Sequence, residues 1–419
     1  MDKILRIFKI PELRNSVLFI LGMLVIFRLV GAIPVPGVNL DQLRNFFANN
    51  QFFSLISTFT GGGLDNFSLV MMGVGPYITA SIIMQLLTMI FPSLEQLYKY
   101  EGEAGREKVN QYSRMLTVPL AALQSYAYLI LFQKQGVIGG LSVLDWVAAI
   151  AATSAGSIFL MWIGELISEK NIGNGISILI FAGIVGRLIS GVVQGQITYQ
   201  STQFFTYLVF VIIALVVIAG VVYLSEAQRN IPINYARRVR GQKIYGGVST
   251  YLPMRVNNAG VMPIIFALSL LLFPTMISAF FATSNITLLA NIAGALKSFL
   301  ENGLIYGALY FILVVAFTYF YTAVTFDPKS ISENVQKQGG YIPGIRPGQP
   351  TAQFLTHLLN RVTLVGAVFL GVIAILPSVV KGLTGITVLT IGGTSILIVV
   401  SVILEVIKAV NAHLSMYEY

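Results

Sequence analysis

The sequence predicts an all-α polytopic membrane protein with ten transmembrane helices. Of its 419 residues, 56% are apolar and only 10% are charged, whereas about 25% of the residues of an average soluble domain are charged. Glycine is abundant, at 39 residues, as is common in membrane helices. Ten apolar runs approach the roughly 20 residues that a helix needs to cross a bilayer.

The apolar runs define the predicted spans in chain order. The first follows a basic start and has no small-residue cleavage site after it, so we interpret it as a retained span. The first five spans are residues 16–33, 69–91, 116–132, 143–166 and 176–193. The second five are residues 204–224, 260–281, 303–324, 362–380 and 388–407.

The basic residues orient these spans. Most of the 26 Lys and Arg residues lie in alternate loops, with clusters before span one and after spans two, six and eight. The positive-inside rule then predicts that both termini lie in the cytosol. A missed or extra span would put the large basic loops on opposite sides, so the charge pattern also supports ten spans.

Ten spans divide into two five-helix halves, residues 1–200 and 201–419. The ends of a five-span half lie on opposite sides of the membrane, so the second half must be inverted relative to the first. Inverted repeats are common in transport proteins and place the pathway at their interface. No sequence repeat is evident, and the division is therefore an argument from topology.

Three polar or broken segments interrupt the spans. Residues 51–68 are half apolar, contain Thr60-Gly61-Gly62-Gly63 and are too short to cross the bilayer. They form either a surface loop or a segment that dips back into the bundle, where non-helical backbone must be buried or line a cavity. The basic loops 226–257 and 325–360 are punctuated by Gly and Pro and are expected to protrude as hairpins. They serve either to set the topology alone or also as a docking surface.

The spans carry little chemistry. Ionisable residues within spans are costly and usually functional, and the spans contain very few, among them Arg28, Glu165, Arg187 and Glu405. Glu165, Arg187 and Glu405 lie near span ends, where snorkelling suffices. Only Arg28 sits deeper, in the outer half of span one. A secondary transporter of small solutes, the alternative function, needs a polar site at the midplane, so the sequence favours a passive conduit.

Enzymatic function is also disfavoured. The chain has no Cys and only two His residues, which excludes disulfides, thiolate nucleophiles and Cys- or His-rich metal sites. Walker A and HExxH patterns are not found. We expect no cofactor.

Two pairs of isoleucines follow helix-breaking residues. Ile78 and Ile82 follow Gly75-Pro76, and Ile176 and Ile180 follow Gly173-Asn174-Gly175. Residues four apart share one helix face. On spacing alone, ordinary packing against lipid or core is the better interpretation.

The chain resembles the SecY family, the channel subunits of the bacterial Sec protein translocon, nearly end to end. The resemblance rests on six stretches: GPYITASIIMQLL (75–87), GEAGREKVNQYSR (102–114), MWIGELISEKNIGNGISILIFAGI (161–184), LPMRVNNAGVMPIIFA (252–267), GGYIPGIRPGQPTA (339–352) and GGTSILIVV (392–400). It implies an hourglass of two five-helix halves closed at the midplane by an aliphatic ring. By motif position the ring is Ile78, Ile82, Ile176, Ile180, Ile265 and Ile398. A narrow apolar ring dewets and blocks ions.

The resemblance also implies moving parts. A re-entrant plug over about residues 60–72 seals the outer funnel, and its residues include Gly61, Gly62, Gly63, Leu64, Asp65, Asn66 and Phe67. A lateral gate opens between spans two and seven, and its candidate polar residues are Gln85, Gln124 and Asn258.

The implied partners are the small membrane subunits SecE and SecG, the SecA motor ATPase, the ribosome, signal peptides, nascent chains and the lipid bilayer. The basic loops would dock the motor or the ribosome through Arg229, Arg237, Arg238, Lys243 and Arg346. Because ribosomal RNA is polyanionic, that contact would be salt-dependent. The implied function is a passive channel in the bacterial plasma membrane that translocates unfolded preproteins and releases transmembrane segments sideways into lipid.

Overall fold

The computed structural model describes most of the chain. The described residues are 10–35, 64, 67–134, 136–139, 142–197, 204–235, 238–240, 243–245, 249–257, 260–281, 287–384 and 393–416. In the first 200 residues the helices are α1 (Pro11–Gly31), α2 (Gly75–Ile90), α3 (Pro92–Tyr100), α4 (Gly102–Lys134), α5 (Val143–Ser168) and α6 (Gly175–Ile197). In the remainder they are α7 (Phe204–Glu226), α8 (Met262–Phe281), α9 (Thr287–Glu301), α10 (Gly303–Thr325), α11 (Pro328–Lys337), α12 (Gln349–Thr384) and α13 (Gly393–Met416).

Every predicted span overlaps one of these helices, and the prediction of an all-α polytopic membrane fold is confirmed. Among the described residues, six helices are long and apolar enough to cross a membrane, or seven if the bent pair α2 and α3 is one span. Three shorter apolar helical stretches, Gly175–Ile189, Val211–Glu226 and Met262–Leu271, lie in the predicted spans five, six and seven. The predicted division near residue 200 falls among residues 198–203, outside the described part.

Two helices are much longer than the spans predicted from their apolar runs. Helix α4 has 33 residues and α12 has 36, and at 1.5 Å per residue each exceeds the ~30 Å hydrocarbon core by ~20 Å. Both extensions are at the N-terminal, polar ends. A polar stretch can be helical in water, but a hydropathy criterion does not detect it.

Helix α2 ends in a sharp bend that the apolar run conceals. The axis turns by 110° between α2 and α3. Phe91, at the break, has extended backbone angles (φ −101°, ψ 114°), because the proline that follows disfavours the helical conformation for the preceding residue. Helix α3 therefore leaves the direction of the span, and α4 packs against it.

The first basic loop forms the expected hairpin. Strands β1 (Gln228–Tyr235) and β4 (Ser249–Arg255) pair antiparallel, with Ile231 opposite Leu252. Between them β2 (Arg238–Arg240) and β3 (Lys243–Tyr245) pair with each other.

The second basic loop does not form a hairpin of its own, and that expectation was wrong. It contains α11 and a two-residue strand, β5 (Gly340–Tyr341), which pairs with the free edge of β1 in the order β4-β1-β5. Gly340 permits this approach, since a Cβ there would lie 2.9 Å from Val335 and 3.0 Å from Tyr235. The two loops therefore fold as one unit, which we call the sheet unit, over a small apolar core that includes Ile231, Met254 and Leu355.

Candidate functional site

The candidate ring isoleucines lie on four helices. Ile78 and Ile82 are on α2, Ile176 and Ile180 on α6, Ile265 on α8 and Ile398 on α13. Five of them belong to one apolar cluster, in which Ile180, Ile265 and Ile398 are buried and Ile78 and Ile176 are partly buried. We call these five side chains the collar. Ile82 is also buried, at 8% exposure, but it is not a member of that cluster.

The start of α6 is built so that its first turns present Ile176 and Ile180. Gly173 has a φ of +145°, a conformation that favours glycine. Ser168 Oγ accepts a hydrogen bond from the backbone N–H of Gly175 at 2.8 Å, and Asn174 Oδ1 accepts one from Ser177 at 3.1 Å. These bonds satisfy amide groups that a helix start leaves without intrahelical partners. Ile176 is therefore the second residue of α6 and Ile180 lies one turn further on.

The start of α2 is fixed differently. Pro76 occupies the first turn, where its missing N–H costs no hydrogen bond. Turns over residues 67–74 lead into the helix, and the carbonyl of Val74 accepts the backbone N–H of Ile78 at 3.0 Å. Ile78 is therefore held in the first turn of α2, as Ile176 is in α6. The collar side chains are hydrocarbon and offer their neighbours only dispersion contacts.

The segment before α2 is buried where the structure describes it. Leu64, Phe67, Met71 and Met72 belong to an apolar cluster with residues of α4, and the rings of Phe67 and Phe132 meet edge to face at 5.4 Å. This placement resolves the open choice for residues 67–68: they lie within the bundle rather than on its surface. Gly61, Gly62, Gly63, Asp65 and Asn66 lie outside the described residues.

Main-chain hydrogen bonds hold this segment to the end of α1. The N–H of Val35 donates to the carbonyl of Phe67 at 2.9 Å, and the N–H of Leu69 donates to the carbonyl of Ile33 at 3.0 Å. Phe67 has a φ of +47°, which is unusual for a bulky residue. The segment is thus anchored at a defined point with a strained residue beside the anchor.

The helices of the predicted lateral gate are in contact. Helix α8 packs against both α2 and α4. Gln85 on α2 donates to Ser81 Oγ at 3.4 Å, while its buried Oε1 has no hydrogen-bond partner in the described part of the chain. Gln124 is buried on α4, and Asn258 lies outside the described residues. Asn257, which the sequence reasoning missed, also has a buried side-chain oxygen without a partner among the described residues.

Four of the five predicted docking residues lie in the sheet unit. Arg229 is exposed on β1, and Arg346 is exposed in the turn after β5. The carbonyl of Arg346 accepts a hydrogen bond from Thr351 Oγ1 at 2.8 Å, which orders this turn. Arg238 and Lys243 lie on β2 and β3, and Arg237 lies outside the described residues.

Two charged contacts between spans were missed by sequence reasoning. Arg114 on α4 forms an ion pair with Glu165 on α5, although the sequence placed Arg114 in a loop and treated Glu165 as a snorkelling residue. Arg28 on α1 donates from Nη2 to the carbonyl of Ala182 on α6 at 2.7 Å. For Arg28 and Glu165 the signal in the sequence was a charge in an apolar run, whereas Arg114 lies in a polar stretch and gave no signal.

Comparisons with known proteins agree on one family. A family model described as SecY matches residues 68–407. The protein translocase subunit SecY of Thermotoga maritima is 44% identical over 423 residues, covering 98% of this chain and 95% of that protein. The protein translocase subunit SecY of Thermus thermophilus is 41% identical with the same coverage, 98% and 95%.

Two solved structures share the fold. One concerns the plug domain of a SecY protein, said to stabilise the closed state of the translocation channel; it is 18% identical, with a TM-score of 0.62, and the match covers 94% of this chain and 91% of that one. The other is canine Sec61 in a ribosome–channel complex, 20% identical with a TM-score of 0.59 and coverage of 94% and 91%. At these identities the structures bear on the fold alone.

Proposed function

The chain belongs to the SecY family, and on that premise we propose that it is a protein-conducting channel. Unfolded polypeptides would pass through the collar, and transmembrane segments would leave sideways into lipid. The observation that carries this proposal is the collar itself, five aliphatic side chains from four helices in one cluster. Such a ring excludes water and ions when closed, and it offers no polar group to bind a passing chain.

The alternative, a secondary transporter of small solutes, is not favoured. A transporter needs a polar or ionisable site near the midplane. The collar residues are all isoleucine, and the apolar cluster around them is built from Val, Leu, Ile and Phe side chains, with Met and Ala at its margin. The channel is proposed to be passive and to lack an enzymatic activity of its own.

We propose that the buried segment before α2 is the plug. In the related SecY structure, the plug domain is described as maintaining a membrane seal. In this chain the segment is packed against α4 and hydrogen-bonded to residues 33–35, so a passing polypeptide would have to displace it.

The lateral gate is proposed to open between α2 and α8. Two observations support this proposal: α2 and α8 are in contact, and Gln85 on α2 and Asn257, five residues before α8, each have a buried side-chain oxygen without a hydrogen-bond partner among the described residues. Buried polar atoms without partners cost free energy in the closed state, so they would lower the work of separating the helices.

The sheet unit is proposed to dock the driving partner. The related Sec61 structure is a complex with a ribosome, and exposed Arg229 and Arg346 suit a polyanionic surface. SecA is the other proposed driver, and SecE and SecG are proposed as small membrane subunits. We place the channel in the bacterial plasma membrane with both termini in the cytosol.

The test is reconstitution of the purified chain, with its co-purifying subunits, into liposomes. We expect an unfolded preprotein with a signal peptide to become protease-protected when the motor and ATP are supplied, and small solutes not to accumulate. Accumulation of a solute against its gradient without protein translocation would contradict the proposal.

A further inference from the structure

Gly156 on α5 is in contact with the main chain of the buried segment before α2. A Cβ built on Gly156 would collide with the carbonyl oxygen of Leu69, and it would lie 2.8 Å from that carbonyl carbon and 3.3 Å from the amide nitrogen of Val70. All three atoms are backbone. Small residues allow such close approach between membrane segments.

The backbone that Gly156 touches is already fixed on its other side. The N–H of Leu69 donates to Ile33, and the N–H of Met71 donates to the carbonyl of Ser68 at 2.9 Å. Ser68, Val70 and Met71 are at most 1% exposed. The segment is therefore held between the end of α1 and the Gly156 face of α5, and it has little room to move away from either.

A second glycine of α5 provides a comparison. A Cβ on Gly164 would collide with Cδ1 of Ile176 and lie 3.4 Å from Cδ1 of Leu179. These neighbours are side-chain ends, which can rotate or be shortened. The obstacle at Gly156 is a peptide group, which can do neither.

We propose that Gly156 is a positioning residue for the plug. The absence of a side chain there lets the segment 67–72 pack against α5, and this contact determines how readily the segment leaves its closed position. The inference rests on the proposed role of that segment as the seal. If it holds, α5, which is not part of the proposed lateral gate, also controls the opening of the channel.

The test uses the chain's lack of Cys. A single Met71→Cys substitution creates one thiol at a position that is 0% exposed. Labelling by a membrane-impermeant maleimide is measured on the full channel in membrane vesicles whose outer face is accessible. We expect Gly156→Ala to raise the labelling rate about ten-fold, the ratio that corresponds to about 1.4 kcal/mol of overpacking.

The matched control is Gly22→Ala, because a Cβ on Gly22, also within a span, would have nothing within 4 Å. Labelling of Met71→Cys should be unchanged by this control. Equal labelling in Gly156→Ala and in the parent, or an equal rise in Gly22→Ala, would overturn the proposal.

Resting ion conductance, measured on the same variants in planar bilayers, separates the inference from the proposed function. Raised labelling with raised conductance supports both. Raised labelling with unchanged conductance supports the contact between Gly156 and the segment, and it shows that the segment is not the seal.

If Gly156→Ala does not accumulate, second-site changes at Leu69 decide the question. Leu69→Gly gives the obstructing peptide new backbone freedom, whereas Leu69→Ala shortens the side chain without that freedom. Recovery of the membrane level by Leu69→Gly alone supports the proposal. Recovery by both changes, or by neither, overturns it.

Discussion

The guanidinium of Arg114 on α4 contacts the carboxylate of Glu165 on α5, with 2.5 Å between Nε and Oε1, although the residues are 51 positions apart in the sequence. The side chain of Glu165 is 21% exposed and that of Arg114 is 41% exposed. The pair therefore lies between a surface ion pair and a buried one, and it joins two helices of the N-terminal part of the bundle.

Removing one partner of this pair should destabilise the protein. An exposed pair contributes about 0–1 kcal/mol, whereas breaking a buried pair costs about 3–5 kcal/mol, so we expect Arg114→Gln to lower the free energy of unfolding by about 1–2 kcal/mol. Thermal unfolding of the detergent-extracted protein measures this. The control is Lys108→Gln, whose pair with Glu101 is 3.6 Å long with both side chains about half exposed. Equal melting temperatures for the two variants would contradict a structural role for the Arg114 pair.

The collar should determine the resting conductance. Replacing Ile180, which is 3% exposed, by Ser admits water to a ring that is otherwise dewetted. We expect several-fold higher ion current in planar bilayers and translocation of preproteins with weaker signal peptides. Ile189→Ser, at an exposed position of the same helix (61% exposed), is the control. A current equal to that of the wild type in Ile180→Ser would contradict a role for Ile180 in the seal.

Arg28 should couple α1 to α6. Its guanidinium donates a hydrogen bond to the carbonyl of Ala182, and a hydrogen bond made by a charged group is stronger than a neutral one. We therefore expect Arg28→Gln to lower the free energy of unfolding by about 1–3 kcal/mol. Gly186→Ala should have a similar effect, because a Cβ there would occupy the position of the guanidinium.

The double variant distinguishes this coupling from two separate defects. If both changes act by displacing the same guanidinium, their effects on the melting temperature are less than additive. Full additivity would mean that Gly186 is needed for another reason.

Arg346 should act in docking rather than in folding. Its backbone carbonyl accepts the hydrogen bond of Thr351 that orders the turn, and its side chain is exposed. Arg346→Glu is therefore expected to leave the melting temperature unchanged while reducing motor- or ribosome-driven translocation. Lys329→Glu changes the charge of the same loop equally, on the first turn of α11, and should have the smaller effect. Normal preprotein translocation by Arg346→Glu would count against docking at this turn.

The positions of the spans were predictable because hydropathy is a local property. Each apolar run of roughly 20 residues marks a helix, and the Lys and Arg pattern predicts how the set is oriented. The bend between α2 and α3 had a signal in Pro92, but the run of apolar residues across it concealed the break. The polar N-terminal extension of α4 left no trace in hydropathy at all.

The candidate ring came from resemblance to a family, since isoleucines four residues apart occur wherever membrane helices pack. The convergence of the collar residues of α2 and α6 with Ile265 and Ile398 depends on how four helices are rotated about their axes. Hydropathy carries no information about such a rotation. The joining of the two basic loops through β5 likewise depends on an edge of β1 that lies about a hundred residues earlier in the chain.

Composition within short stretches was enough to predict a membrane protein of ten spans, the side that its basic loops face, and the near absence of charge from its spans. Tertiary packing was needed to establish that Arg114 meets Glu165, that five candidate isoleucines from four helices belong to one apolar cluster, and that Gly156 lies against the peptide of Leu69. These contacts join segments distant in the chain, and they depend on the close approach and rotation of packed helices, which many sequences with the same hydropathy profile would arrange differently.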